Sequence, residues 1–128
     1  MSRLASGRPP FRADHVGSLL RPPALRQAFK QHMNRSIDDA TFKKIQDDCI
    51  REVLKLQESA GLEVANDGEF RRGSYWSRFV ERTEGFEIKS AVYTFRDDTG
   101  HEYEFTAPYA SKKIKRVQPL AVDEFEFV

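Results

Sequence analysis

The sequence predicts an α/β fold: a βαβ unit followed by a β-hairpin. Three observations carry that prediction. Apolar residues recur at steps of three and four over residues 42–60, the period of a helix buried along one stripe. Short, partly apolar segments at 11–16 and 62–66 lie on either side of the helical region. A helical crossover between two such strands makes them parallel. Residues 86–95 and 101–107 then alternate in polarity around Asp97-Asp98-Thr99-Gly100, which is a hairpin pattern.

Each element has its own signal. Residues 1–10 read as a flexible arm, and 11–16 as a strand closed by Gly17-Ser18. Pro22-Pro23 opens a helix, because a proline in the first turn gives up an N–H that has no helical partner. Leu25, Phe29 and Met33 share one face of it. Ser36 stands three residues before Asp39, close to a capping box, and starts the long helix. Its stripe is Phe42, Ile45, Cys49, Val53, Leu56 and Ala60, and Gly61 occupies the place of a left-handed C-cap. Cys49, inside the stripe, reads as a small core residue. The strand at 62–66 ends at Asp67-Gly68-Glu69. Residues 74–84 form a helix with Trp76, Phe79 and Val80 on its apolar side; the hairpin spans 86–107, and 112–117 adds a third extended piece. From Leu120 a helix with Ala121, Phe125 and Val128 on one face is expected to be cut short at the last residue.

Composition sets bounds on function. The chain has 128 residues, the size of about one domain and well short of the roughly 250 of a (β/α)₈ barrel. Its 21 Lys+Arg and 20 Asp+Glu leave a net charge of +1, so no global field attracts nucleic acid or an anionic membrane. Neither partner is expected. A single cysteine excludes an intrachain disulfide and a cysteine-rich metal site. There is no signal-peptide core and no run of membrane-spanning length, so a cytoplasmic setting is expected. The basic run at 112–116 is expected to be one solvated face of an extended segment.

The chemistry-bearing residues fall in two segments, Asp14-His15-Val16-Gly17-Ser18 and Asn66-Asp67-Gly68-Glu69-Phe70-Arg71-Arg72. Each follows a predicted strand. In parallel α/β folds the C-terminal strand ends form the rim that carries the site. His15, Gly17, Ser18, Asp67 and Glu69 are therefore the candidate site residues. They suit a small zwitterion. Glycine lets a ligand approach backbone N–H groups, and the Ser18 hydroxyl adds a donor. Glu69 can accept from an ammonium group, with Asp67 orienting it. Arg71 and Arg72 can hold an acidic tail through charge-assisted bonds. The competing reading of both segments is a pair of ordinary turns. His15 has no second His or Cys at ligand spacing, so no metal ligand and no catalytic residue is assigned in the chain.

The run from Phe11 to Pro22, followed by the long helix and Asp67-Gly68-Glu69-Phe70-Arg71-Arg72, resembles the cobalamin-independent methionine synthase family. The likeness is to its single-barrel, catalytic-domain members and covers residues 11–128. It implies the N-terminal part of a (β/α)₈ TIM barrel with a hairpin insertion at about 86–107. It also implies methyl transfer from methyltetrahydrofolate to a thiol, usually homocysteine. The family's Gly-Ser falls on Gly17 and Ser18, and its amino-group ligand on Glu69; His15 and Asp67 flank them. The family activates its thiol on zinc held by His, Cys, Glu and Cys of later strands, which have no counterpart here. The expectation is thus an incomplete barrel, carrying part of the substrate site and able to self-associate through an exposed apolar edge. Two alternatives stay open: a catalytically inactive fragment or interaction protein, and a related barrel enzyme acting on another thiol such as coenzyme M.

Overall fold

The computed structural model describes residues 17–128, apart from the side chains of residues 91–93. The arm at 1–10, the strand expected at 11–16 and His15 lie outside the described residues. Two compact units are present: residues 17–75 together with 123–128, and residues 76–122.

The first unit is helical. Helix α1 spans Pro23–Met33 and α2 spans Asp39–Ser59. After α3 at Ser77–Glu81, a six-residue helix, α4, covers Val122–Phe127. Leu25 of α1, Ile50 and Val53 of α2, and Phe70 form the core, with Leu19, Phe29, Cys49, Leu54 and Phe127 packed against it. Full burial of a side chain such as Leu25, Ile50 or Phe70 contributes about 1.5–3 kcal/mol. Met33 is exposed, so the buried face of α1 is Leu25 and Ala28 with Phe29 beside them.

Helix α2 departs from its predicted pattern at both level and face. Its N-cap is Asp38, whose carboxylate accepts the Thr41 N–H at 2.8 Å; Ser36 is not the cap. Asp38 is closer to the first helical turn and carries the charge the helix N-terminus favours. The buried positions are Gln46, Ile50, Val53 and Gln57, a stripe rotated from the predicted one. Leu56 is 65% exposed. Gln57 is drawn inward because its amide bonds the Asn66 backbone. The C-terminus follows prediction. Gly61 adopts φ +80°, its N–H donates to the Glu58 carbonyl, and the Leu62 N–H donates to Gln57. That is a Schellman closure, which glycine makes without a Cβ penalty.

Residues 62–66 form no strand, and the chain bends at Glu63 and Val64. A strand needs a ladder partner, and this backbone is satisfied otherwise. The Gln57 side chain donates to the Asn66 carbonyl at 2.8 Å and accepts the Asn66 N–H at 3.1 Å. The sheet found among the described residues is antiparallel and two-stranded, so the parallel pair and the barrel geometry are absent from them.

The second unit is a long β-ribbon. Helix α3 covers Ser77–Glu81, shorter than the predicted 74–84 because Thr83 already starts β1. Strand β1 runs Thr83–Arg96 and β2 runs Glu102–Arg116, paired antiparallel with irregularities at Glu84/Phe86 and Lys89/Tyr93. The hairpin is thus longer than 86–107, and the expected third piece is the continuation of β2, with Thr83 opposite Arg116. The turn is as predicted: Asp97 accepts the backbone N–H groups of Thr99 and His101 on Oδ1. The Phe79 and Phe86 rings meet edge-to-face at 5.7 Å, joining α3 to β1.

In α4 the buried residue is Glu124, at 5% exposure, and Phe125 is exposed. The predicted apolar face of Ala121, Phe125 and Val128 therefore points away from the core, and Phe127 packs inward instead. The Arg72 guanidinium, paired with Glu124 at 2.7 Å, turns the helix this way.

Candidate functional site

Gly17 and Ser18 enter the first unit on an extended segment that is tied down at Leu19. The Leu19 N–H donates to the Gly68 carbonyl at 3.1 Å, which brings the two predicted segments side by side. Residues 66–72 then fold as a tight turn. The Gly68 N–H is held by Asn66 Oδ1 at 2.8 Å and the Glu69 N–H by Asp67 Oδ1 at 2.9 Å. Gly68 at φ +66° and Glu69 at φ +57° both lie in the left-handed region. A Cβ on Gly68 would stand 2.8 Å from the Phe70 ring and 3.2 Å from Leu19 Cβ, so glycine is required for close packing as well as for conformation. Glutamate carries no such excuse. A non-glycine residue held at positive φ costs roughly 1 kcal/mol or more and persists only where its surroundings fix it.

The result is an open cleft of about 730 Å³ lined by Gly17, Ser18, Leu19, Leu20, Arg21, Arg26, Glu69, Gly73, Ser74 and Tyr75. Three of the predicted site residues, Gly17, Ser18 and Glu69, line it together. Asp67 is 9% exposed and is not on its wall; one carboxylate oxygen supports the Glu69 amide. Its other oxygen is buried without a hydrogen-bond donor among the described residues.

Sequence reasoning did not assign Arg21, Arg26, Ser74 or Tyr75 to the site. The signal available was proximity: Arg21 stands three residues after Ser18, and Ser74 five after Glu69.

Arg71 and Arg72 do not offer themselves to a ligand tail. Arg71 pairs with Asp47 at 2.6 Å and lies 4.5 Å from the Phe127 ring centre. Arg72 pairs with buried Glu124 at 2.7 Å and approaches Glu69 only to 3.8 Å. The bond from Glu124 raises the Arg72 pKa against the opposing pull of burial, and the charges of Glu124, Asp67 and Glu69 add to the rise. Both arginines are spent on internal carboxylates, which is why the predicted tail contacts are not available.

Cys49 is half-buried beside the core, and burial raises its thiol pKa, with the Asp48 charge adding to the shift. A thiol held neutral is a poor metal ligand. Among the described residues no group of three or more His, Cys, Asp or Glu side chains is arranged to hold a metal ion. The donors among the described residues therefore do not fit zinc. Among the described residues no helix is long and apolar enough to cross a membrane.

A helical unit thus presents Gly17-Ser18 and the positive-φ Glu69 on one cleft. Known proteins show what the chain is related to. The chain is 35% identical over 112 residues to methionine synthase of Sulfurisphaera tokodaii, covering 88% of this chain and 32% of that protein. Methionine synthase of Sulfolobus acidocaldarius is 30% identical over the same shares. The protein YxjG of Bacillus subtilis is 39% identical over 80 residues, 62% of this chain and 21% of that protein. No family model matches the chain. The chain is a distant homologue of the methionine synthases, and it spans about a third of the length of the archaeal relatives it matches.

Proposed function

We propose that this chain forms the thiol-substrate-binding portion of a zinc-dependent methyltransferase that moves a methyl group from methyltetrahydrofolate to homocysteine. The single observation that carries the reading is the placement of Gly17, Ser18 and Glu69 on one cleft. Those residues are chemically matched to an amino acid. The backbone N–H groups and hydroxyl at 17–18 suit its carboxylate, and the Glu69 carboxylate suits its ammonium group. The homology to methionine synthases supports the choice of homocysteine.

This portion binds and orients; it does not activate the thiol. Zinc ligation belongs, by the resemblance, to later strands, and no catalytic step is assigned to the side chains here. His15 is proposed to flank the substrate, and Asp67 to act from behind the cleft wall by fixing the Glu69 turn.

The test is a chimera in which this chain replaces the matched segment of the Sulfurisphaera tokodaii protein. Homocysteine methylation should be retained, and Glu69→Ala should raise KM for homocysteine with a smaller effect on kcat. An unchanged KM removes Glu69 from the site.

A second reading has its own observation. Leu20, 93% exposed, joins Pro22, Cys49, Val53, Leu56 and Phe70 along an apolar groove of about 360 Å³. Self-association of two copies through this groove would cover it. Sedimentation that stays monomeric across about 1–100 μM contradicts that reading.

A further inference from the structure

Arg72 stands between two carboxylates and bonds only one of them. Its Nη2 donates to Glu124 Oε2 at 2.7 Å, while its Nη1 stays 3.8 Å from Glu69 Oε1, beyond hydrogen-bond reach. Glu124 is nearly buried, and Glu69 lies on the cleft. The Arg72 carbonyl is held by Arg21 Nη2 at 2.5 Å, so the main chain is pinned and the choice of carboxylate rests with the side chain.

A guanidinium at bonding distance from Glu69 would compete with any ligand ammonium for the same oxygens. We infer that Glu124 is a positioning residue: by holding Arg72 it keeps the Glu69 carboxylate available to the ammonium group of an amino-acid substrate. The inference rests on the proposed role of Glu69 and adds the device that keeps it open.

Three features make Glu124 suited to the task. It is delivered by α4, far along the chain, 52 residues from Arg72. Helix α4 is seated by Phe127, whose ring lies 4.5 Å from the Arg71 guanidinium and 5.2 Å from that of Arg51. Glu124 is buried and Arg72 partly so, which leaves their attraction less screened than that of an exposed pair. Without the Glu124 charge, Arg72 retains two carboxylates in its neighbourhood, Asp67 and Glu69. Glu69 is already within 3.8 Å of Nη1, and a short side-chain rotation brings the two together.

The test compares the wild-type chain, Glu124→Gln and the double variant Arg72→Gln/Glu124→Gln. Crystal structures of the first two should show Arg72 moving from residue 124 into hydrogen-bond distance of Glu69. Titration with L-homocysteine should show binding weakened roughly tenfold or more in Glu124→Gln, the scale of a charge-assisted bond. The double variant, with the competitor removed, should recover binding to within about threefold of wild type, a residual well under one such bond. A purely structural role for Glu124 gives a double variant as weak as the single one, and that result overturns the inference. So does an Arg72 that stays in place or turns to Asp67. If the wild-type chain binds no L-homocysteine, the reading of Glu69 fails, and the movement of Arg72 still decides the geometric claim. Thermal melts establish that each variant is folded, and the double variant remains decisive if the single one is not.

Discussion

Arg21 fixes the backbone of Arg72: its Nη2 donates to the Arg72 carbonyl at 2.5 Å and to the Glu69 carbonyl at 3.3 Å. The same guanidinium lies 4.8 Å from the Phe29 ring centre on α1. One side chain thereby ties the segment carrying Gly17 and Ser18, helix α1 and the Glu69 turn into a single arrangement. It also explains how Glu69 is kept at a positive φ.

Replacing Arg21 should therefore loosen the turn as well as remove a cation. Arg21→Ala is expected to destabilise the first unit by about 1.5–3 kcal/mol, the range for hydrogen bonds from charged groups. Arg21→Lys keeps the charge without the planar fork and should fall between. Urea denaturation followed by the helical signal measures both. Equal stability of all three proteins would show that the two carbonyls find water just as readily.

Gln57 does for residues 62–66 what a neighbouring strand would do. Its amide satisfies both the N–H and the C=O of Asn66, and donates to the Val53 carbonyl at 3.1 Å. Gln57→Leu keeps the volume and removes these three side-chain bonds. The expected cost is about 1–3 kcal/mol. Amide hydrogen exchange should speed up at Asn66 and not at the middle of α2; unchanged exchange at Asn66 would contradict the clamp.

Asp47 makes stability depend on acid pH. Burial pushes its carboxyl pKa up, but hydrogen bonds from Lys43 and Arg71, and their charges, outweigh that and hold it below the ordinary value. A carboxyl depressed in the folded state stabilises above the unfolded pKa, near 4, and that contribution is lost as pH falls through the folded value. The wild type should thus lose stability faster than Asp47→Asn between about pH 5 and pH 2. Parallel acid titrations of the melting temperature test this, and identical slopes would dismiss the Arg71–Asp47 pair as a source of pH dependence.

Local signals and long-range partners explain which features the sequence disclosed. The start of α1 at Pro23, the length of α2, its Gly61 closure and the Asp97–Gly100 turn are all set by chemistry within a few residues, and the structure has them. The buried faces are less legible where a polar side chain is drawn inward by a distant group. Apolar periodicity favours Leu56 over Gln57, yet Gln57 is buried because Asn66 needs its amide. It favours Phe125 over Glu124, yet Glu124 is buried by an arginine on the opposite side of the unit in sequence. Of the candidate site, Gly17, Ser18 and Glu69 come together on one cleft, Asp67 stands behind Glu69, and His15 lies outside the described residues. Arg21 escaped notice because its role depends on carbonyls about 50 residues away, and no motif records a backbone acceptor.

The central claim is that Gly17, Ser18 and Glu69 form one site for an amino-acid thiol. The most direct measurement is an amide-resolved NMR titration of the chain with L-homocysteine, repeated on Glu69→Ala. Saturable shifts centred on Gly17, Ser18, Glu69 and Ser74 are predicted, and they should be lost or shifted to much higher ligand concentration in the variant. Shifts that are absent, or that map elsewhere, or that are the same in Glu69→Ala, would contradict it.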